Sequence, residues 1–554
     1  MIIIIFDRKV TCFVVKYLQI KKCSSLKLKM IRTIILITAL ITVKGDDCVK
    51  RSFGEDNIVC VCNSTYCDTI SEPKLQRNQF LWYTSTKDGK RLELSVNGFN
   101  NNQSDSDLVL TVDSGQASQT ILGFGGALTD AAALNIRKLS NETQERLLEG
   151  YYGVNGIRYS LVRIPIAGTD FSTRPYTYDD VPGDIALNHF ALVEEDDYKI
   201  GYIDHIKSIM PNLNDLKIFT TSWSAPVWMK NTDKITWGKI SKEAEPIRTN
   251  VARFSTLKTE YYQLYADYIK KFYDAYKERN VDIWAMTPGN EPIDGFIPFF
   301  TFNAMGWTPT SSAIWSANYL IPTLSKAGYK PLYMALDDQR FEIPWYVDIM
   351  FKNPTVKEAF SGTAFHWYFD KTFSPCRLND LHDKYPDKFI LMTEACAGSG
   401  LFEKKVVLGS WERGERYALD IIENLSHWVT GWVDWNIALD KDGGPNWAKN
   451  NVDSPIIVIP ENDEFYKQPM FYAISHFSKF VPPESRKILS TGLENNNKIK
   501  VIAFLTPNQE IVVVAVNTDS SPINLTIKDK TTNNKINVHL LANSFNTLLY
   551  LPQE

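Results

Sequence analysis

Two glutamates close apolar runs in the middle of this 554-residue chain. One run reads Trp284-Ala-Met-Thr-Pro-Gly-Asn290-Glu291-Pro292, the other Leu391-Met-Thr-Glu394-Ala395. A carboxylate placed where a buried strand stops sits at a rim, partly desolvated but reachable. Two of them facing across a pocket supply what glycoside hydrolysis needs. One is protonated to release the leaving alcohol; the other is ionised to meet the oxocarbenium-like centre. Carboxyl groups about 5–5.5 Å apart imply a covalent intermediate and retention of configuration. Burial and mutual repulsion are expected to keep the acid's pKa up while the nucleophile stays charged.

A lone glutamate is more often a salt-bridged surface residue, so the neighbours decide. Asn290 stands beside Glu291, where its amide can bond a sugar 2-hydroxyl. Arg163, in Leu161-Val-Arg-Ile-Pro165, ends another apolar run and is placed to keep Glu394 ionised. Asp170 follows on the same loop as an acceptor for sugar hydroxyls. Trp223 and Trp435 close two further runs, positions that suit a hexose platform. His366 and Tyr368 alternate along one run and so share a side, from which both can reach a carboxylate. The chain has 7 His, too few to favour a multi-histidine metal centre, and no metal or cofactor is expected. Phosphate-loop, dinucleotide, HExxH and GxSxG patterns are all missing from the sequence.

These residues need a scaffold that gathers strand ends. Eight apolar runs, at 121–126, 159–167, 217–222, 282–287, 331–336, 362–367, 389–393 and 431–435, alternate with helical patterns such as 257–278 and 412–429. That rhythm predicts a (β/α)8 TIM barrel, whose chemistry sits at the carboxyl ends of its strands. After about residue 485 the pattern changes to short β-rich runs broken by Asn, Pro and Asp, with no helix between them. This predicts a β-sandwich, to which the early runs 91–96 and 108–112 are expected to contribute.

The charge is uneven. Residues 1–45 hold nine Lys or Arg and one acid, leaving 51 basic against 63 acidic groups and a net charge of −12. An acidic body argues against a nucleic-acid partner. Lys27, Lys29 and Arg32 precede the apolar run 34–43, the layout of a secretory signal peptide, with Met30 a natural start. Cys48, Cys60, Cys62 and Cys67 crowd into twenty residues. Without a nearby His they read as two disulfides rather than a zinc site. Asn63, Asn102, Asn141, Asn424 and Asn524 begin glycan-acceptor triplets.

Taken together, the stretches Gly123-Phe-Gly-Gly-Ala-Leu-Thr-Asp130, Thr221-Ser-Trp-Ser-Ala-Pro226, Asn290-Glu-Pro292, Leu336-Asp-Asp-Gln-Arg340, His366-Trp-Tyr368, Thr393-Glu-Ala-Cys396 and Trp432-Val-Asp-Trp-Asn436 resemble the lysosomal glucosylceramidases of glycoside hydrolase family thirty. The likeness spans about residues 46–554. It implies Glu291 as acid/base and Glu394 as nucleophile. Sugar contacts would come from Asp170, Trp223, Asn290, Trp435 and Asn450, with Arg163, His366 and Tyr368 supporting the carboxylates. It implies disulfides Cys48–Cys60 and Cys62–Cys67. The implied domains are a signal segment 1–45, a small β-domain from 46–72 and 437–469, a sandwich from 73–119 and 485–554, and the barrel from 120–436 and 470–484. It implies removal of glucose from glucosylceramide at acidic pH on lysosomal membranes, helped by acidic lipid and a small saposin-type activator. Two alternatives are a same-fold enzyme for a galactoside, xyloside or sterol glucoside, and a secreted glycan-binding protein without turnover. The Phe-rich loop 293–307 departs from the family and bears on the aglycone side.

Overall fold

The computed structural model describes residues 45–552 except Glu55, 237–253, Leu401 and Asn533. The expected signal segment therefore lies outside the described residues. Eight parallel strands close into a barrel in sequence order: β1 Gly123–Ala127, β2 Leu161–Ile166, β3 Lys217–Ser222, β4 Ala285–Met286, β5 Leu332–Gln339, β6 Phe360–His366, β7 Phe389–Glu394 and β8 Val429–Asn436. Each of the eight apolar runs holds one strand. Helices Tyr262–Glu278 and Trp411–Ser426 occupy two of the crossovers, and the buried face of the former is built largely of aromatic side chains, among them Tyr265, Tyr268 and Phe272.

The barrel interior is layered. Leu161, Phe219, Ala285, Met334, Ala364, Leu391 and Val433, one from each of β2 to β8, form an apolar plug. Side chains on a strand repeat every second residue, so the next inward layer falls at Arg163, Thr221, Thr287, His366, Thr393 and Trp435. On β5 a register shift between Leu336 and Asp338, with Leu336 and Asp337 in the left-handed region (φ 73° and 69°), brings Asp337 into that layer.

The nine-stranded β-sheet at the chain's end runs from Lys535–Leu540 at one edge to Glu93–Gly98 at the other. The expected runs all take part. The strands Gln79–Thr86 and Arg486–Thr491 were not foreseen as separate runs; Leu108–Thr120 extends well past its predicted end to pair with the latter. Strand Ile511–Asn517 is apolar up to its last residue because both its faces are buried. Ile511, Val513 and Ala515 face the sandwich interior, while Val512, Val514 and Val516 join the core shared with the barrel. His476, in helix Pro469–Ser478, bridges Thr547 Oγ1 and Ser85 Oγ, each at 2.8 Å. A third, five-stranded sheet joins Lys50–Ser52 and Ile58–Asn63 to Leu439–Asp440, Ile456–Ile459 and Glu464–Lys467. Both disulfides form there, Cys48–Cys60 and Cys62–Cys67.

Candidate active site

Arg163 and Asp337 organise the polar layer above the plug. Asp337 Oδ1 accepts from Thr393 Oγ1 at 2.7 Å and lies 3.1 Å from His366 Nε2; Oδ2 accepts from Thr287 Oγ1 at 2.8 Å and Arg163 Nη2 at 3.1 Å. Burial opposes its charge, but Arg163 and His366 hold it well below the usual carboxylate range. Arg163 is fully buried. Its Nη1 donates to Glu394 Oε2 and its Nη2 also donates to Asn290 Oδ1 at 2.8 Å. Burial works against the guanidinium, yet Asp337 and Glu394 raise its pKa further.

Glu394 sits at the end of β7, where a register shift against β6 pairs it with His366. Its second oxygen accepts from Tyr368 Oη at 2.6 Å. Glu291 follows β4 on a tight turn. Its backbone is left-handed (φ 40°), a conformation costing a non-glycine residue about 1–3 kcal/mol, and its N–H donates to Asp337 O at 2.9 Å. Its Oε1 accepts from Gln339 Nε2 at 2.9 Å and lies 3.1 Å from His366 Nδ1. His366 thus stands between Glu291 and Asp337. Burial alone would lower its pKa, but Glu394, Asp337 and Glu291 raise it to about 10, so the ring is an imidazolium donating from both nitrogens.

One carboxylate oxygen each of Glu291 and Glu394, with a ring nitrogen of His366, all lie within 4.8 Å of one another. The fold thus brings the two carboxyl groups together beside one imidazole. The expected electrostatics are corrected, however. Burial pushes Glu291 upward, but the His366 hydrogen bond and charge, a bond with Asp294 and the Arg163 charge together hold it below the ordinary glutamate range. The raised carboxyls are its neighbours: Asp294 well above its usual value, Asp338 at about 7 and Glu342 at about 10, each primarily through burial.

The other expected residues take these places. Asp170 is buried and accepts from Asn450 Nδ2 at 2.7 Å; burial, with the charges of Glu394 and Glu291, lifts its pKa to about 7. Asn290, with Oδ1 on Arg163, turns its amide N–H2 away as a donor. Trp223 and Trp435 are only 2% exposed and stack on each other, ring centroids 5.1 Å apart, with Arg163 about 5 Å from both rings. Both expected platform residues thus stand beside Arg163 in the polar layer, almost wholly buried. Asn102, Asn141 and Asn524 are exposed and Asn63 is half-buried. The reading of Asn424 as a glycan acceptor is corrected. It is fully buried in helix Trp411–Ser426, and its amide donates to Asp420 and accepts from Arg340 Nη2 at 3.0 Å, which leaves no room for a glycan.

Sequence reasoning missed Asp337, Gln339 and Asp294 as parts of the site. The predicted fifth strand ended at Leu336, and the bulge that carries it on to Gln339 has no signature in apolar periodicity. The acids Asp337-Asp338 directly after an apolar run were the available signal.

With this geometry in place, the family is decided by sequence. Residues 121–481 match the model of the glycosyl hydrolase family 30 TIM-barrel domain, and residues 484–548 that of the glycosyl hydrolase family 30 beta sandwich domain. The chain belongs to glycosyl hydrolase family 30. Family membership and the paired glutamates make it a glycosidase. Among its relatives, the lysosomal acid glucosylceramidase of Mus musculus is 39% identical over 486 residues, covering 87% of this chain and 91% of that protein. The putative glucosylceramidase 3 of Caenorhabditis elegans is 38% identical, covering 89% and 92%. The solved structure of SrfJ from Salmonella typhimurium superposes with a TM-score of 0.76 at 25% identity, covering 86% of this chain and 100% of that one.

Proposed function

We propose that the chain is a retaining β-glucosidase that hydrolyses glucosylceramide to glucose and ceramide at acidic pH, with Glu394 as nucleophile and Glu291 as acid/base. The observation that carries this reading is the approach of the two carboxylates to within 4.8 Å, close to the spacing of retaining rather than inverting enzymes. The nucleophile's part falls to Glu394 because its two oxygens accept from the Arg163 guanidinium and the Tyr368 hydroxyl, which hold it in place at the end of β7. In the first step a Glu394 oxygen bonds the anomeric carbon, the bond to the aglycone oxygen breaks, and the Glu291 proton passes to that oxygen. In the second, water attacks the same carbon, gives a proton to Glu291, and the ester to Glu394 breaks. Because Glu291 is held below the ordinary range, its proton is available only in acidic solution, which supports an acidic working pH.

The names of the mouse and nematode relatives support the substrate. A secretory or lysosomal destination follows from the same likeness, from the disulfides and from the signal-like start. No helix among the described residues is long and apolar enough to cross a membrane. Glucosylceramide would be met at a lipid surface, with acidic lipid and a saposin-type activator as partners. The exposed Ile297 and Phe299, on the loop that follows Glu291, support approach to lipid. The test is product analysis after incubation with glucosylceramide in vesicles containing acidic phospholipid at acidic pH. Ceramide and glucose, the glucose released first as the β-anomer, are expected. Release of the α-anomer would refute retention; hydrolysis of galactosides, xylosides or sterol glucosides but not this lipid would refute the substrate.

A further inference from the structure

We propose that Trp447 is a positioning residue for the sugar site, setting through its two N–H groups the backbone of the loop that carries Asp170. The inference rests on Asp170 being the sugar contact that the family likeness implies.

The loop after β2 satisfies its own N–H groups locally. Thr169 N–H donates to Ser172 Oγ at 3.0 Å, and Phe171 N–H to Thr169 Oγ1 at 2.9 Å. Its residues 168 to 172 are all buried, so their five carbonyls need donors from other parts of the chain. Asn303 Nδ2 reaches Gly168 O at 2.8 Å, and Ala131 N–H reaches Phe171 O at 2.8 Å. The other three fall to Trp447. Its indole Nε1–H donates to Thr169 O at 2.8 Å, and its backbone N–H is shared between Asp170 O at 3.2 Å and Ser172 O at 3.0 Å.

The neighbours of Trp447 hold the carboxylate as well. Asn450 Nδ2 donates to Asp170 Oδ2 at 2.7 Å, and Asn446 Nδ2 lies 3.5 Å from the same oxygen. Residues 446–450 thus grip Asp170 by backbone and side chain together. They belong to the connection between Leu439–Asp440 and Ile456–Ile459 of the five-stranded sheet. The neck of that connection is closed by Asp440 N–H on Gly444 O at 3.0 Å, Gly444 N–H on Asp440 Oδ1 at 2.8 Å and Asn135 Nδ2 on Gly444 O at 2.7 Å. The small sheet is thereby tied into the sugar site. A backbone N–H stands at 447 whatever the residue, but Thr169 O is reached by the indole. Removing that donor leaves a buried carbonyl unpaired beside Asp170, a cost the loop relieves by moving.

The experiment measures kcat/KM on an activated aryl β-glucoside, whose leaving group needs no proton, for wild type, W447F, D170A and the double variant. W447F keeps an aromatic ring but loses the indole N–H, and is expected to lower kcat/KM about 10-fold. D170A is expected to lower it about 100-fold. Because Trp447 acts through Asp170, the double variant falls no more than about twofold below D170A. A W447F rate equal to wild type overturns the inference. So does a further loss of about 10-fold in the double variant, which is what a merely structural tryptophan gives. D170A at the wild-type rate shows instead that Asp170 is not a sugar contact, and the inference falls with that reading. Should W447F not fold, 3-benzothienylalanine at position 447, with sulfur in place of the indole N–H, replaces it. The same loss is then expected, and an unchanged rate overturns the inference.

Discussion

Glu394 and Glu291 are the same side chain in one cavity, yet the two halves of the pocket differ in kind. Around Glu394 the donors are permanent: a buried guanidinium that cannot lose its proton and a tyrosine hydroxyl. Around Glu291 they are a histidine ring that owes its charge to the carboxylates about it and a neutral amide. A nucleophile must remain an anion throughout its attack, so a fixed cation suits it. An acid that becomes a base within one turnover needs neighbours tolerant of both states, and groups that themselves hold protons provide this. The roles proposed for the two glutamates are matched by what surrounds each carboxylate.

The largest way to break this comparison is to exchange the two glutamates for amides in turn. E394Q removes the proposed nucleophile and is expected to lose about 10⁴-fold or more in kcat on every substrate. E291Q should lose about 10²–10⁴-fold on unactivated glucosides but far less where the leaving group needs no proton. Steady-state rates on paired aryl and lipid substrates measure both; equal losses for the two variants on activated substrates would erase the distinction between the halves.

A smaller effect is expected at Tyr368. Its hydroxyl is one of the two donors on Glu394, and a hydrogen bond to a charged group is worth about 1.5–3 kcal/mol. Y368F should therefore lower kcat/KM about 10–100-fold on activated and unactivated substrates alike. A loss confined to unactivated substrates would place Tyr368 with the acid instead.

The smallest expected effect concerns stability. Asp170 has a folded pKa of about 7, above the ordinary aspartate value of 3.8. The folded state therefore binds its proton more tightly than the unfolded state does. Its contribution to stability is full below about pH 4 and declines as pH rises through the interval to about 7. D170N cannot titrate, so its Tm relative to wild type should rise across that interval, by about 2–4 °C. Parallel Tm profiles would show that Asp170 is not held protonated by its surroundings.

Much of this arrangement is legible in the sequence because it depends on period and position. Eight apolar runs became eight barrel strands, and a step of two residues from each plug side chain leads to Arg163, His366, Thr393 and Trp435. What periodicity cannot express is a change of register. The bulge in β5 that admits Asp337 depends on two left-handed residues, Leu336 and Asp337, neither of them glycine. The pKa of Glu291 was misjudged for a related reason. Burial and repulsion could be foreseen from two glutamates, but the countering imidazolium owes its charge to three carboxylates that only folding gathers. Asn424 shows the same limit, since a triplet says nothing about whether its asparagine ends up inside.

The seven apolar side chains that plug the barrel close off the floor beneath the two glutamates. A leaving group and the water that replaces it would then both pass on the carboxyl-terminal side of the strands, so the first departs before the second arrives.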